Sequence, residues 1–227
     1  MNYISYSLSE LSNYDLDGHI LVLGTARVGK STLTLQIARR YYSNKYQQNL
    51  QYVDTSLIQS KWYDSNIIYS REQGFSPLKN NKKEFIQVDD AVLLADKRGS
   101  MLPDQSKFLG KMNFYASNNN LIATLIQNLA DLDSRLYSKA NLVIIVYERG
   151  KALVYAKPKN FPIVRDTFDF DFIQKHTYLL NQGERRSLYN LKRIRSYIGE
   201  IRFKSLADNP LYKKYLQKKS KEQKDLD

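Results

Sequence analysis

The 227-residue chain has no cysteine, which excludes disulfides, iron–sulfur clusters and thiolate zinc sites. It has only two histidines, His19 and His176, isolated from one another, so no histidine metal site is expected. No apolar run approaches the ~18 residues of a membrane-spanning helix, and Leu142 to Val146 has the length of a buried strand. Met1 to Leu11 lacks the basic and apolar regions of a secretory signal, so a cytoplasmic location is expected. Acidic residues are also in short supply: 23 Asp and Glu stand against 35 Lys and Arg, a net charge of +12. From Gly183 to Asp227 there are 13 basic and 6 acidic residues, so this stretch alone supplies +7. Such an excess suits a polyanion, through release of counterions from its phosphates. A solvated face, an acidic membrane or an acidic protein are the other readings of the same charge.

What the chain does contain is Gly24-Thr25-Ala26-Arg27-Val28-Gly29-Lys30-Ser31-Thr32, between the apolar run Ile20 to Leu23 and a helical pattern of Leu33, Leu35, Ile37 and Ala38. This is G-x-x-x-x-G-K-[ST] in a strand–loop–helix setting, the P-loop. The chemistry explains the residue types. Glycines let the backbone curl so that successive N–H groups face a polyphosphate, and the helix that follows adds its positive end. Lys30 brings a cation to the β- and γ-phosphates, and Ser31 offers a hydroxyl to Mg²⁺. ATP and Mg²⁺ are the expected ligands.

A metal acid is expected at the end of a neighbouring strand. Glu84-Phe85-Ile86-Gln87-Val88-Asp89-Asp90 supplies a mostly apolar strand ending in two carboxylates. Asp89 is assigned to Mg²⁺ and Asp90 to the attacking water, although acids in this position also cap a following helix. Leu121 to Ile126 is a further strand and ends at Gln127, whose amide is placed to meet the γ-phosphate and the water if the strands end on one rim. Other P-loop classes fit less well. Asn44-Lys45-Tyr46-Gln47 lacks the Asp of the guanine-reading motif, and no L-S-G-G-Q-like run exists.

Core strands are expected at His19 to Gly24, Glu84 to Asp89, Leu121 to Ile126 and Leu142 to Tyr147, with shorter ones at Gln51 to Asp54 and Asn66 to Tyr69. Helices are expected at Lys30 to Tyr42, Ala91 to Lys97, Gln105 to Ser117 and Leu129 to Ser138. The turn Glu148-Arg149-Gly150-Lys151 returns as Ala152 to Ala156. Phe161 to Phe172 reads as irregular. Leu188, Leu191, Ile194, Ile198 and Ile201 recur at helical spacing, which predicts one helix over Glu184 to Phe203. Its other faces carry Arg185, Arg186, Lys192, Arg193 and Arg195, the candidate contacts to nucleic acid. The fold class is therefore α/β: a P-loop NTPase with a mostly parallel central sheet flanked by helices, an antiparallel edge hairpin and a helical basic C-terminal segment. Residues 1–158 are expected to form the ATPase core with its lead-in, and 159–227 a linker and basic extension on that core.

The order of these parts resembles the FtsK–HerA superfamily of additional-strand P-loop ATPases, which includes small genome-packaging and DNA-transfer ATPases. The resemblance runs from about His19 to Ala156 and rests on the P-loop, Asp89-Asp90-Ala91 and the strand ending in Gln127. Members usually carry Asp-Glu where this chain has Asp-Asp. The resemblance implies a homo-oligomeric ring with ATP between subunits, double-stranded DNA as the cargo, and a capsid or transfer pore as a further partner. It also implies an arginine reaching the neighbouring subunit's γ-phosphate, for which Arg135 and Arg98 are the candidates. A nucleotide-dependent assembly or switch protein, as in the zonula-occludens-toxin-like group, is the alternative, and a small-molecule phosphotransferase a third.

Overall fold

Strands β1 (Gly18–Leu23) and β4 (Leu121–Ile126) have no exposed residue, and neither do the first five residues of β5 (Leu142–Glu148). Continuous burial of mostly aliphatic residues belongs to parallel strands covered on both faces. In the computed structural model, which describes residues 18–45, 67–68, 84–89, 91–92, 106, 109–110, 120–156, 168–206 and 210–224, these strands form the centre of a seven-stranded sheet. With β2 (Ile67–Ile68), β3 (Phe85–Val88), β6 (Lys151–Ala156) and β7 (Tyr197–Arg202), the order is β2-β3-β4-β1-β5-β6-β7. The first five positions pair in parallel. The hairpin partner β6 and then β7 pair antiparallel.

Alternation along the strands divides the core in two. Ile20, Val22, Phe85, Ala123 and Leu125 face helix α1 (Lys30–Lys45), which contributes Leu33, Ile37 and Ala38. Leu21, Leu23, Ile86, Ile122 and Ile126 face the opposite way, toward the short α2 (Ser134–Tyr137), α3 (Phe170–Asn181) and α4 (Arg185–Leu191). The last helix, α5 (Pro210–Lys224), places Tyr215 in the α1-side core. Among the described residues no helix is long and apolar enough to cross a membrane.

Three expectations change. The apolar stripe from Leu188 to Ile201 is not one helix face: α4 stops at Leu191 and the chain enters β7 at Tyr197. Leu188, Leu191 and Ile194 join the α3-side core, whereas Ile198 and Ile201 join the α1-side core. A sheet ending at β6 would leave a ladder of open backbone groups, and β7 closes it. Gly199, a poor residue for a helix interior, sits in this strand with φ 156. The stretch expected to be irregular through Phe172 instead opens α3 at Phe170, where the Asp169 side chain accepts from the Phe172 amide at 2.9 Å. The helix expected over Leu129 to Ser138 divides into a 3₁₀ turn at Leu129–Asp131 and α2, capped by Asn128 and Asp133. Gln51 to Asp54 and most of the two helices expected between Ala91 and Ser117 lie outside the described residues, but Ser106, Leu109 and Gly110 are helical.

Candidate nucleotide site

The loop from Gly24 to Gly29 leaves the carboxyl end of β1 and enters α1 at Lys30. Gly24 has φ 152, and a Cβ built on it would stand 2.5 Å from the Val146 carbonyl oxygen and 2.9 Å from Val28 Cγ1. Only a residue without a side chain brings this loop so close to β5. Gly29, at φ 110, starts the helix by accepting from the Leu33 amide at 2.9 Å. Arg27, at φ 62, is the one non-glycine residue of positive φ among those described. The Lys30 ammonium is buried inside the curl and donates to the carbonyls of Gly24 at 2.7 Å and Thr25 at 2.9 Å.

The sheet register aligns the other parts. Leu23 pairs with Ile126, so Gln127 falls level with Gly24, and the Gln127 side chain is exposed on that rim. Val88 pairs with Thr124, so Asp89 follows one residue beyond, on the α1 side of the sheet shared by Phe85 and Gln87. Asp89 is 3% exposed. Tyr215 of α5 bridges the two candidate metal-holding residues: its hydroxyl oxygen lies 2.5 Å from Asp89 Oδ2 and 2.9 Å from Ser31 Oγ. A phenol has one proton, which goes to the carboxylate, so the Ser31 hydroxyl donates to the phenol oxygen. Lys219, one turn further along α5, donates to the same Asp89 oxygen at 3.0 Å.

Ser31 and Asp89 therefore come within the span of a single hydroxyl group. They offer hard oxygen donors, the set that suits Mg²⁺ with its retained waters, so the residues present fit that ion. The described residues contain no cluster of three or more acidic, His or Cys side chains able to hold a metal alone.

Arg135 is pinned to its own helix cap. Its guanidinium meets Asp133 through Nε at 3.0 Å and Nη2 at 2.7 Å, and this hydrogen bond raises its pKa further. It borders a groove of about 360 Å³ with Leu109, Ser138 and Lys139. Asp90 and Arg98 lie outside the described residues. Of the candidate nucleic-acid contacts, Arg185, Arg186, Arg193 and Arg195 are exposed around α4, on the sheet face opposite α1. Arg193 lies over the Tyr189 ring at 5.3 Å. Lys192 is instead ion-paired to Glu200 at 2.6 Å.

Sequence reasoning did not find Tyr215 and Lys219. The spacing of Tyr212, Tyr215 and Lys219 marks one helix face, but nothing local says what that face meets.

No family model matches the chain, and no curated protein matches it. Among solved structures, it is similar to the genome packaging NTPase B204 from Sulfolobus turreted icosahedral virus 2 in complex with AMP. That similarity is at 14% identity and a TM-score of 0.42, over 62% of this chain and 92% of that one. It is also similar to the N-terminal domain of zonular occludens toxin from Neisseria meningitidis, with 12% identity, TM-score 0.36, and 65% and 88% covered. A third is C. elegans PCH-2, with 17% identity, TM-score 0.40, and 65% and 42% covered. With the Gln127 strand set between the P-loop strand and the Asp89 strand, and the Gly24–Thr32 loop opening α1, this chain has the additional-strand P-loop NTPase fold.

Proposed function

We propose that this chain is an ATP-hydrolysing, ring-forming motor that moves double-stranded DNA in the cytoplasm, for viral genome packaging or plasmid transfer. The observation that carries the reading is the convergence of Ser31, from the loop after β1, and Asp89, from the end of β3, on one hydroxyl position. In this reading the loop amides and Lys30 hold the β- and γ-phosphates, and Ser31 and Asp89 hold Mg²⁺. The bound ion supplies neutralisation of the phosphate charge. Asp90 orients the attacking water and Gln127 reports the γ-phosphate from the adjacent strand end. Arg135 or Arg98 serves the neighbouring subunit; Arg135 would have to leave Asp133 to do so. The exposed arginines around α4 track the DNA backbone, and a capsid or transfer pore anchors the ring.

The test is Mg²⁺-dependent ATP hydrolysis measured with and without double-stranded DNA, alongside particle mass. The expected result is a ring-sized particle whose turnover rises with DNA of any sequence. Turnover indifferent to DNA would instead favour the assembly or switch protein. Loss of ATP that depends on a small acceptor, in a monomer, would favour the phosphotransferase.

A further inference from the structure

We propose that helix α5 is an intramolecular latch on the Mg²⁺ end of this site, so that docking of α5 and binding of Mg²⁺·ATP exclude one another. The inference rests on the assignment of Ser31 and Asp89 to the metal. Tyr215 engages both groups at once, with its hydroxyl on Asp89 Oδ2 and Ser31 Oγ. Lys219 sets an ammonium on the same carboxylate oxygen, with the side chains 24% and 4% exposed. A phenol and a monovalent cation thus use the oxygens that a divalent ion needs. A second cation on Asp89 would face the Lys219 charge at close range in a largely buried setting, where like-charge repulsion is poorly screened.

The other described side chains of α5 add little hold on the core. Among its described side chains only Tyr215 is buried, with Tyr212 stacked beside it at a centroid distance of 5.8 Å. Lys213, Lys214, Leu216, Gln217, Ser220 and Lys221 are exposed. A helix whose described side chains bury so little can open locally without unfolding the sheet beneath it. A ligand that binds only the open form then shifts the equilibrium by its full affinity difference.

The experiment compares wild type with the double variant Tyr215→Phe/Lys219→Met, which keeps the ring in the core but removes both polar contacts. Affinity for a fluorescent ATP analogue is measured with Mg²⁺ and with EDTA, and hydrogen exchange of the α5 amides is followed with and without Mg²⁺·AMPPNP. The expected result is a gain of about tenfold in Mg²⁺-dependent affinity, the scale of a charge-assisted hydrogen bond, with the EDTA affinity unchanged. In wild type, α5 exchange should quicken when the Mg²⁺ complex binds. An unchanged or weaker Mg²⁺-dependent affinity in the variant overturns the latch, as does equal protection of α5 in the loaded protein. Absence of nucleotide binding in both proteins under both conditions overturns the nucleotide reading and the latch with it.

Discussion

Gly24 rests directly against the backbone of Val146: a methyl group at its Cα would stand 2.5 Å from the Val146 carbonyl oxygen. The same contact joins the phosphate loop to β5, so fold and site share one constraint. Gly24→Ala is expected to lower stability by about 1–3 kcal/mol, as overpacking against an immovable neighbour does. Chemical denaturation checks this, and nucleotide binding should fall with it. A variant of wild-type stability would mean that the loop relaxes away from β5.

Lys30→Ala should abolish hydrolysis and weaken ATP binding, because loop amides alone do not neutralise the β/γ charge. Asp89→Asn should abolish hydrolysis while retaining part of the binding. Turnover and equilibrium titration, measured together, separate the two outcomes. Full Mg²⁺-dependent activity in the Lys30 variant would remove the loop from the mechanism.

Gln127 stands level with Gly24 on the strand between β1 and β3 and has its side chain in solvent. Gln127→Ala should slow turnover by about 10²-fold, the scale of one lost transition-state donor, with little change in nucleotide affinity. An affinity loss as large as the rate loss would make it a binding residue instead.

Replacing Arg185, Arg186, Arg193 and Arg195 by Gln should weaken DNA binding equally for unrelated sequences and leave basal ATP hydrolysis intact. The log–log salt slope should fall by about 0.9 for each phosphate contact removed. Lys192 is left out because its ammonium is committed to Glu200. An unchanged slope would assign this surface to solvent or to a protein partner.

The hydrogen bond from Lys192 holds the Glu200 carboxyl below its ordinary pKa, with Tyr147 adding a smaller contribution of the same sign. A carboxyl whose pKa is depressed in the folded state stabilises it above the unfolded pKa, and the benefit disappears as pH falls through the folded value. Glu200→Gln should therefore cost up to about 1 kcal/mol at neutral pH, the usual ceiling for a partly exposed pair. Thermal unfolding of the two proteins should converge on acidification. A gap that persists at low pH would point to lost packing rather than lost charge.

The features legible in the sequence were those set by near neighbours along the chain. The Gly24–Thr32 loop could be read because its glycines, its lysine and the apolar run before it act within a few residues of one another. The strand at Leu121–Ile126 showed its limits for the same reason. Asp89 was legible as a strand-end acid, and so was the Gly150 turn, where φ is 82. Ile194, Ile198 and Ile201 were not, because three- and four-residue spacing fits a helix face as well as a turn followed by a strand. The open edge of β6, more than forty residues earlier in sequence, decides between them. The meeting of Tyr215 and Lys219 with Asp89 spans 126 and 130 residues. Backbone sterics and side-chain periodicity determine local elements, and these the sequence carries on its own. Which buried carboxylate a distant tyrosine hydrogen-bonds and a distant lysine neutralises depends on which surfaces are left uncovered once the sheet has formed, and only the tertiary structure decides that.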